Sequence, residues 1–258
     1  MCRFLSVLIL RDGSVRHHPM LDSHSDLVTY FKLPDENPHI PYFAKAELTP
    51  DTDWTDASAW QWRIDEAVNP VWLTSEVEKA AEDATRAIAQ RMVIKDGERR
   101  LIVDGCWIVA GTAKIRDVRS GRIVRVQDSA TISDVGGSAT ISDVGGSATI
   151  SDVWGSATIS DVWDSATISG VGDSATIRDV GGSATISDVG GSATISRVWD
   201  SATISDVGDS ATISDVWGSA TIRGVGDSAT ISDVGDSATI SDVWGSATLD
   251  ASAKKAVR

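Results

Sequence analysis

From Ser129 onward one nine-residue unit, Ser-Ala-Thr-Ile-Ser-Asp-Val-Gly/Trp-Gly/Asp, recurs thirteen times without insertion or deletion, and an altered copy begins at Ser246. A fixed short period implies a solenoid, in which a unit too small to bury its own apolar face buries it against its neighbours. In residues 138–146 an extended chain puts Ala139 and Ile141 on one face and Ser138, Thr140 and Ser142 on the other. Val144 can join the inner face only if the chain turns near Ser142-Asp143, where the Asp carboxylate could bond backbone N–H groups. Gly145-Gly146 then supplies a second bend, since glycine reaches positive φ without steric cost.

A closed coil of one unit would have no interior, which leaves two or three units per coil. Small Ala and single Ile and Val layers favour two, as a thin core between two facing parallel sheets. The expected fold is therefore mainly β: a parallel β-solenoid over residues 104–249, a small α+β capping domain over 1–103, and a basic tail over 250–258. Position eight alternates between Gly and Trp (Trp154, Trp163, Trp199, Trp217, Trp244), and position nine between Gly and Asp. Exchange between no side chain and an indole puts position eight at an outer edge. With two units per coil, Trp199 and Trp217 are expected to stack as neighbours.

Charge is concentrated on this array. The chain carries −14 overall, and residues 129–249 hold sixteen Asp against three Arg, thirteen of those net charges. Two units per coil would align Asp143, Asp161, Asp179, Arg197, Asp215 and Asp233 in one row and Asp134, Asp152, Asp188, Asp206 and Asp242 in another. Like charges about 4.8 Å apart repel and call for water, cations or a basic partner. Arg197 would relieve its own row.

The preceding chain reads differently. Asp12-Gly13, flanked by segments 4–11 and 14–18, is a hairpin signal. A short helix is expected over 23–32, strands over 42–48 and 60–65, and a longer helix over 74–94. Ser75 and Glu78 would form its capping box, and Val77, Ala80, Ala81, Ala84, Ile88 and Met92 its apolar stripe. Degenerate repeats begin near Gly105, with the N-terminal domain and the tail expected to cover the two ends of the solenoid. The opening stretch 1–10 is read as a strand, because no small-residue cleavage site follows it. No apolar run reaches the length of a membrane span. Two cysteines, Cys2 and Cys106, without metal-ligand spacing, fit a reducing, cytoplasmic setting.

No arrangement of residues carries catalysis: the serines of the array have no paired histidine. His17, His18 and His24 could meet Asp22 or Asp26 at a metal, but strand-end and capping roles explain them more simply. The reading is a non-enzyme with no catalytic residue, metal or cofactor. The nonapeptide period resembles that of calcium-binding β-roll proteins. In the stretch from Gly136 through Ile141, however, Ala139 and Ile141 stand where that family has glycine and the ligand aspartate, so calcium binding is not implied. Ser14-Val15-Arg16-His17-His18-Pro19 through Phe31, with Gly105-Cys106-Trp107-Ile108 and the nonapeptide array, is similar to uncharacterised repeat proteins of bacterial and phage genomes. That similarity implies a bacterial or phage-infected cell and no particular activity.

The expected function is that of an acidic rod binding a basic protein surface, with mimicry of DNA toward a DNA-binding protein as its specific form. Asp143, Asp161, Asp179, Asp215 and Asp233, with Trp163, Trp199 and Trp217, are the candidate contacts. Neither direct nucleic-acid nor membrane binding is expected. The alternatives are a spacer or scaffold, or a solenoid whose outward Ser/Thr rows bind a regular surface such as ice or a cell surface.

Overall fold

The computed structural model describes residues 5–34, 41–235 and 237–257; Cys2 and Phe4 lie outside them. Two compact units divide between Val93 and Ile94, ahead of the boundary at 103 that composition suggested.

In the first unit β1 (Leu5–Leu10) and β2 (Val15–Arg16) form the expected hairpin around Gly13, whose φ is +79°. With β3 (Phe43–Thr49) and β4 (Gln61–Ile64) they make an antiparallel sheet in the order β2-β1-β3-β4. The largely apolar β1 is buried in its middle, where the one polar side chain, Ser6, donates to the Asp22 carbonyl. Helix α1 spans His24–Tyr30, but Ser23 makes no capping bond with its side chain and instead pairs with Ser25 Oγ. Helix α2 spans Ser75–Met92. Its N-cap is Thr74, which accepts from the Val77 N–H, and Glu78 accepts from Trp62 Nε1, so the Ser75/Glu78 box does not form. The buried seam is Ala81, Thr85, Ala89 and Met92, rotated from the expected stripe, and Ala80 is exposed. Thr85 can lie in that seam because its hydroxyl donates to the Ala81 carbonyl.

The second unit is a parallel β-solenoid. β5 (Val93–Ile94), β6 (Glu98–Ile102), β7 (Cys106–Val109), β8 (Lys114–Val118) and β9 (Arg122–Val126) begin its two sheets. The repeat strands then join them alternately, giving sheets of nine and ten strands among the described residues. Each repeat strand pairs eighteen residues onward, as in Thr167↔Thr185 and Ile168↔Ile186. Two units therefore make one coil. Every described repeat-unit Ala and Ile from Ala130 to Ile240 is buried, as is every Val from Val135 to Val234, in one continuous core. The outward Thr of each unit is half-buried from Thr131 to Thr239.

Both corners differ from the sequence reading. From Asp152 onward the backbone at position six is itself left-handed: Asp161, Asp188, Asp206 and Asp215 have φ between 54° and 56°, and Gly170 and Gly224 adopt the same region. Asp is among the few non-glycine residues that tolerate it. The second bend takes positive φ only at position nine, with Asp as well as Gly: 64° at Gly146 and 58° at Asp164. There the Ala N–H two residues later bonds the position-eight carbonyl, as in Ala148 N to Gly145 O at 3.3 Å. A positive φ at the first central residue of such a turn matches the II′ pattern.

At the C-terminus α3 (Ala251–Ala256) follows an Asp250 N-cap, and Ala253 and Ala256 join the solenoid core. Asp250 accepts from Ala253 N, Ser252 Oγ and Asp233 N, which holds its carboxyl down to about 2. The basic tail is thus a lid on the last coil.

Candidate functional site

Each coil turns at two edges, and each edge carries positions six, eight and nine of one unit per coil. Position nine is structural. Every described Asp there accepts a backbone N–H from the coil before: Gly146 to Asp164 at 2.9 Å, Gly155 to Asp173 at 3.0 Å, Gly182 to Asp200 at 3.0 Å, Gly191 to Asp209 at 2.8 Å and Asp209 to Asp227 at 3.2 Å. A charge-assisted bond to an edge amide satisfies a donor that would otherwise rely on water. The sequence assigned this bonding to position six.

Position eight is a matched set rather than a free surface site. Trp163 and Trp199 stack with ring centroids 5.9 Å apart and planes at 23°. Gly181 lies between them, where an added Cβ would meet Trp163 at 2.5 Å and Trp199 at 2.6 Å. Trp154 covers Gly136, Trp217 covers Gly235 and Trp244 covers Gly226 in the same way. Each indole fills the space left by glycine in an adjacent coil. The expected Trp199–Trp217 stack is therefore not formed: the two rings tip in opposite directions, and Trp217 stays 52% exposed.

The position-six carboxylates face out. Asp161 and Asp233 are exposed, and Asp143, Asp179 and Asp215 are half-buried. Register places all five on one edge with Trp163, Trp199 and Trp217. Arg125 pairs with Asp143 at 3.1 Å, Arg197 with Asp179 at 2.7 Å, and Ser214 Oγ donates to Asp215. Burial pushes the Asp143 carboxyl up, with the neighbouring Asp161 and Asp164 adding to it and Arg125 opposing. Asp161 is also raised, by burial and then Asp179, against the pull of Arg197 and Arg178. A groove of about 490 Å³ opens here between Arg125, Asp128, Asp143, Trp163 and Asp164. On the opposite edge Trp154 Nε1 donates to Asp134 at 2.6 Å.

Of these contacts the sequence reading anticipated the relief that Arg197 gives its own row, here through Asp179, but not the Arg125 and Ser214 partners of Asp143 and Asp215. The described histidines also group otherwise than expected: His24 lies with Glu47 and Asp65. Among the described residues no helix is long and apolar enough to cross a membrane. Comparison with known proteins finds no matching family model, curated protein or solved structure.

Proposed function

We propose that the solenoid is a non-enzymatic interaction rod whose carboxylate-bearing edges bind a basic protein surface in the manner of duplex DNA. The observation that supports this reading is the register: stacking at eighteen-residue intervals turns scattered aspartates into rows at each edge. Thirteen net charges over a stack of about 31 Å give one per about 2.4 Å, against about 1.7 Å for duplex DNA. Partly exposed indoles beside the row add apolar anchors of the type that concentrates binding energy. The partner class is a DNA-binding protein, because its surface is already built for regularly spaced negative charge.

Pull-down from bacterial lysate across a salt series, with duplex DNA as competitor, tests this. Capture should fall steeply with salt, be displaced by DNA, and drop at least tenfold when Asp143, Asp161, Asp215 and Asp233 are changed to Asn. Capture indifferent to both salt and these substitutions refutes the reading.

One feature favours a second reading. Thr occupies position three of every unit, in register on both sheets, and Ser position five except at Arg178 and Arg223. Such flat hydroxyl rows suit a regular surface such as ice. Thermal hysteresis in the purified protein would support that use, and its absence would remove it.

A further inference from the structure

We propose that the N-terminal unit holds one divalent transition-metal ion on His24, Glu47 and Asp65. His24 is 7% exposed, and its Nε2 lies 3.1 Å from the Ala46 carbonyl oxygen. A carbonyl oxygen only accepts, so Nε2 carries a proton, which leaves Nδ1 as the nitrogen that faces Asp65 Oδ2 at 3.4 Å. Contact between this nitrogen and a carboxylate needs a positive species between them, a proton or a metal ion.

A proton on Nδ1 would satisfy one carboxylate along one line, yet two converge. Glu47 brings an oxygen so placed that one ligand atom from each of the three residues lies within 4.8 Å of the other two. A metal ion serves all three at once. Imidazole nitrogen with two carboxylate oxygens suits zinc and its first-row neighbours. The bond from Nε2 to a backbone carbonyl is the contact that orients a metal-bound imidazole and fixes its tautomer.

The scaffold suits the role. Glu47 lies on β3 and Asp65 follows β4, and the two strands pair with Ala46 opposite Ile64. Asp65 N donates to the Lys45 carbonyl at 2.8 Å, which pins the end of β4 beside β3. The rigid ligand is the buried imidazole. Glu47 is half-buried and Asp65 exposed, so both carboxylates can close by about 1 Å toward the spacing of zinc ligands and leave a fourth position to water.

The test uses the full chain, stripped with chelator and titrated with Co²⁺ followed by visible absorption and with Zn²⁺ by calorimetry. One saturable site per chain is expected. Glu47→Gln and Asp65→Asn should each weaken it at least tenfold, while Asp161→Asn on the solenoid leaves it unchanged. If His24→Gln fails to fold, the two carboxylate variants, checked by circular dichroism, still decide the matter. No saturable binding, binding indifferent to both carboxylate variants, or binding equally weakened by Asp161→Asn overturns the proposal. In the first of these outcomes the pair is an imidazolium–carboxylate bridge alone.

Discussion

Gly181 shows how much of this protein is decided by single residues two coils apart. With Trp163 and Trp199 closing on it, a methyl group has no room, whereas at Gly172, also in position eight, nothing lies within 4 Å of an added Cβ. Gly181→Ala should cost about 1–3 kcal/mol through overpacking, and Gly172→Ala close to nothing, as read by urea denaturation. Equal costs would mean that the indoles do not hold this arrangement. His17 is the residue to follow in acid. Burial first, then the neighbouring His18, lowers it from 6.5 to about 4, and its Nδ1 has no hydrogen-bond partner. The folded form thus resists a proton that the unfolded chain takes up, so stability is intact above pH 6.5 and is lost as pH falls toward 4. His17→Leu should match the wild type at pH 7 and gain on it at pH 4.5, in urea midpoint.

Among the elements, sequence period announced the strands and their inward faces, because burial of Ala, Ile and Val requires both, and the thinness of that layer favoured the eighteen-residue coil over a longer one. It did not announce the corners. Composition shows that position six is Asp, but only the backbone shows that its role there is a left-handed φ, and that the carboxylates bonding backbone amides are those of position nine. The same blindness moved the cap of α2 by one residue, since Thr74 and Ser75 are both competent caps and only packing chooses between them. Asp161→Asn keeps a residue that tolerates the left-handed corner and removes a carboxylate whose charged form is disfavoured in the fold. It should leave stability equal or higher at pH 7, the difference vanishing below pH ~3.8, where the folded and unfolded carboxyls are both protonated. Ile186→Asp, by contrast, puts a carboxylate into a fully buried ladder. It should cost more than about 4 kcal/mol and abolish the β circular-dichroism spectrum or sharply lower the urea midpoint. A wild-type midpoint would rule out the inward assignment.

For the solenoid as a whole, successive units are near copies in backbone as well as in sequence. From Asp152 onward both sheets use the same pairing and the same left-handed corners, so units can exchange neighbours wherever each indole still meets a glycine. Deleting residues 183–200 removes one coil and keeps every later unit on its own sheet. Deleting only 183–191 moves every later unit to the opposite sheet, yet leaves it the same kinds of neighbours within the core. Both variants should fold with a β spectrum and lose little stability beyond the missing stacking, as expected of a quasi-one-dimensional array. Deleting 183–186, four residues out of nine, should not, because every later Ile and Val then leaves the core face. The two permitted deletions part company at the edges. The longer one keeps Asp143, Asp161, Asp179, Asp215 and Asp233 on one edge, while the shorter sends Asp215 and Asp233 to the other. Because the shorter deletion also carries Asp206 and Asp242 onto the first edge, both variants present five carboxylates there, and a partner that reads a row should bind each nearly as well as the full chain. Loss of binding by the nine-residue deletion alone would mean that the partner reads the particular surroundings of Asp215 and Asp233, and not a repeating row.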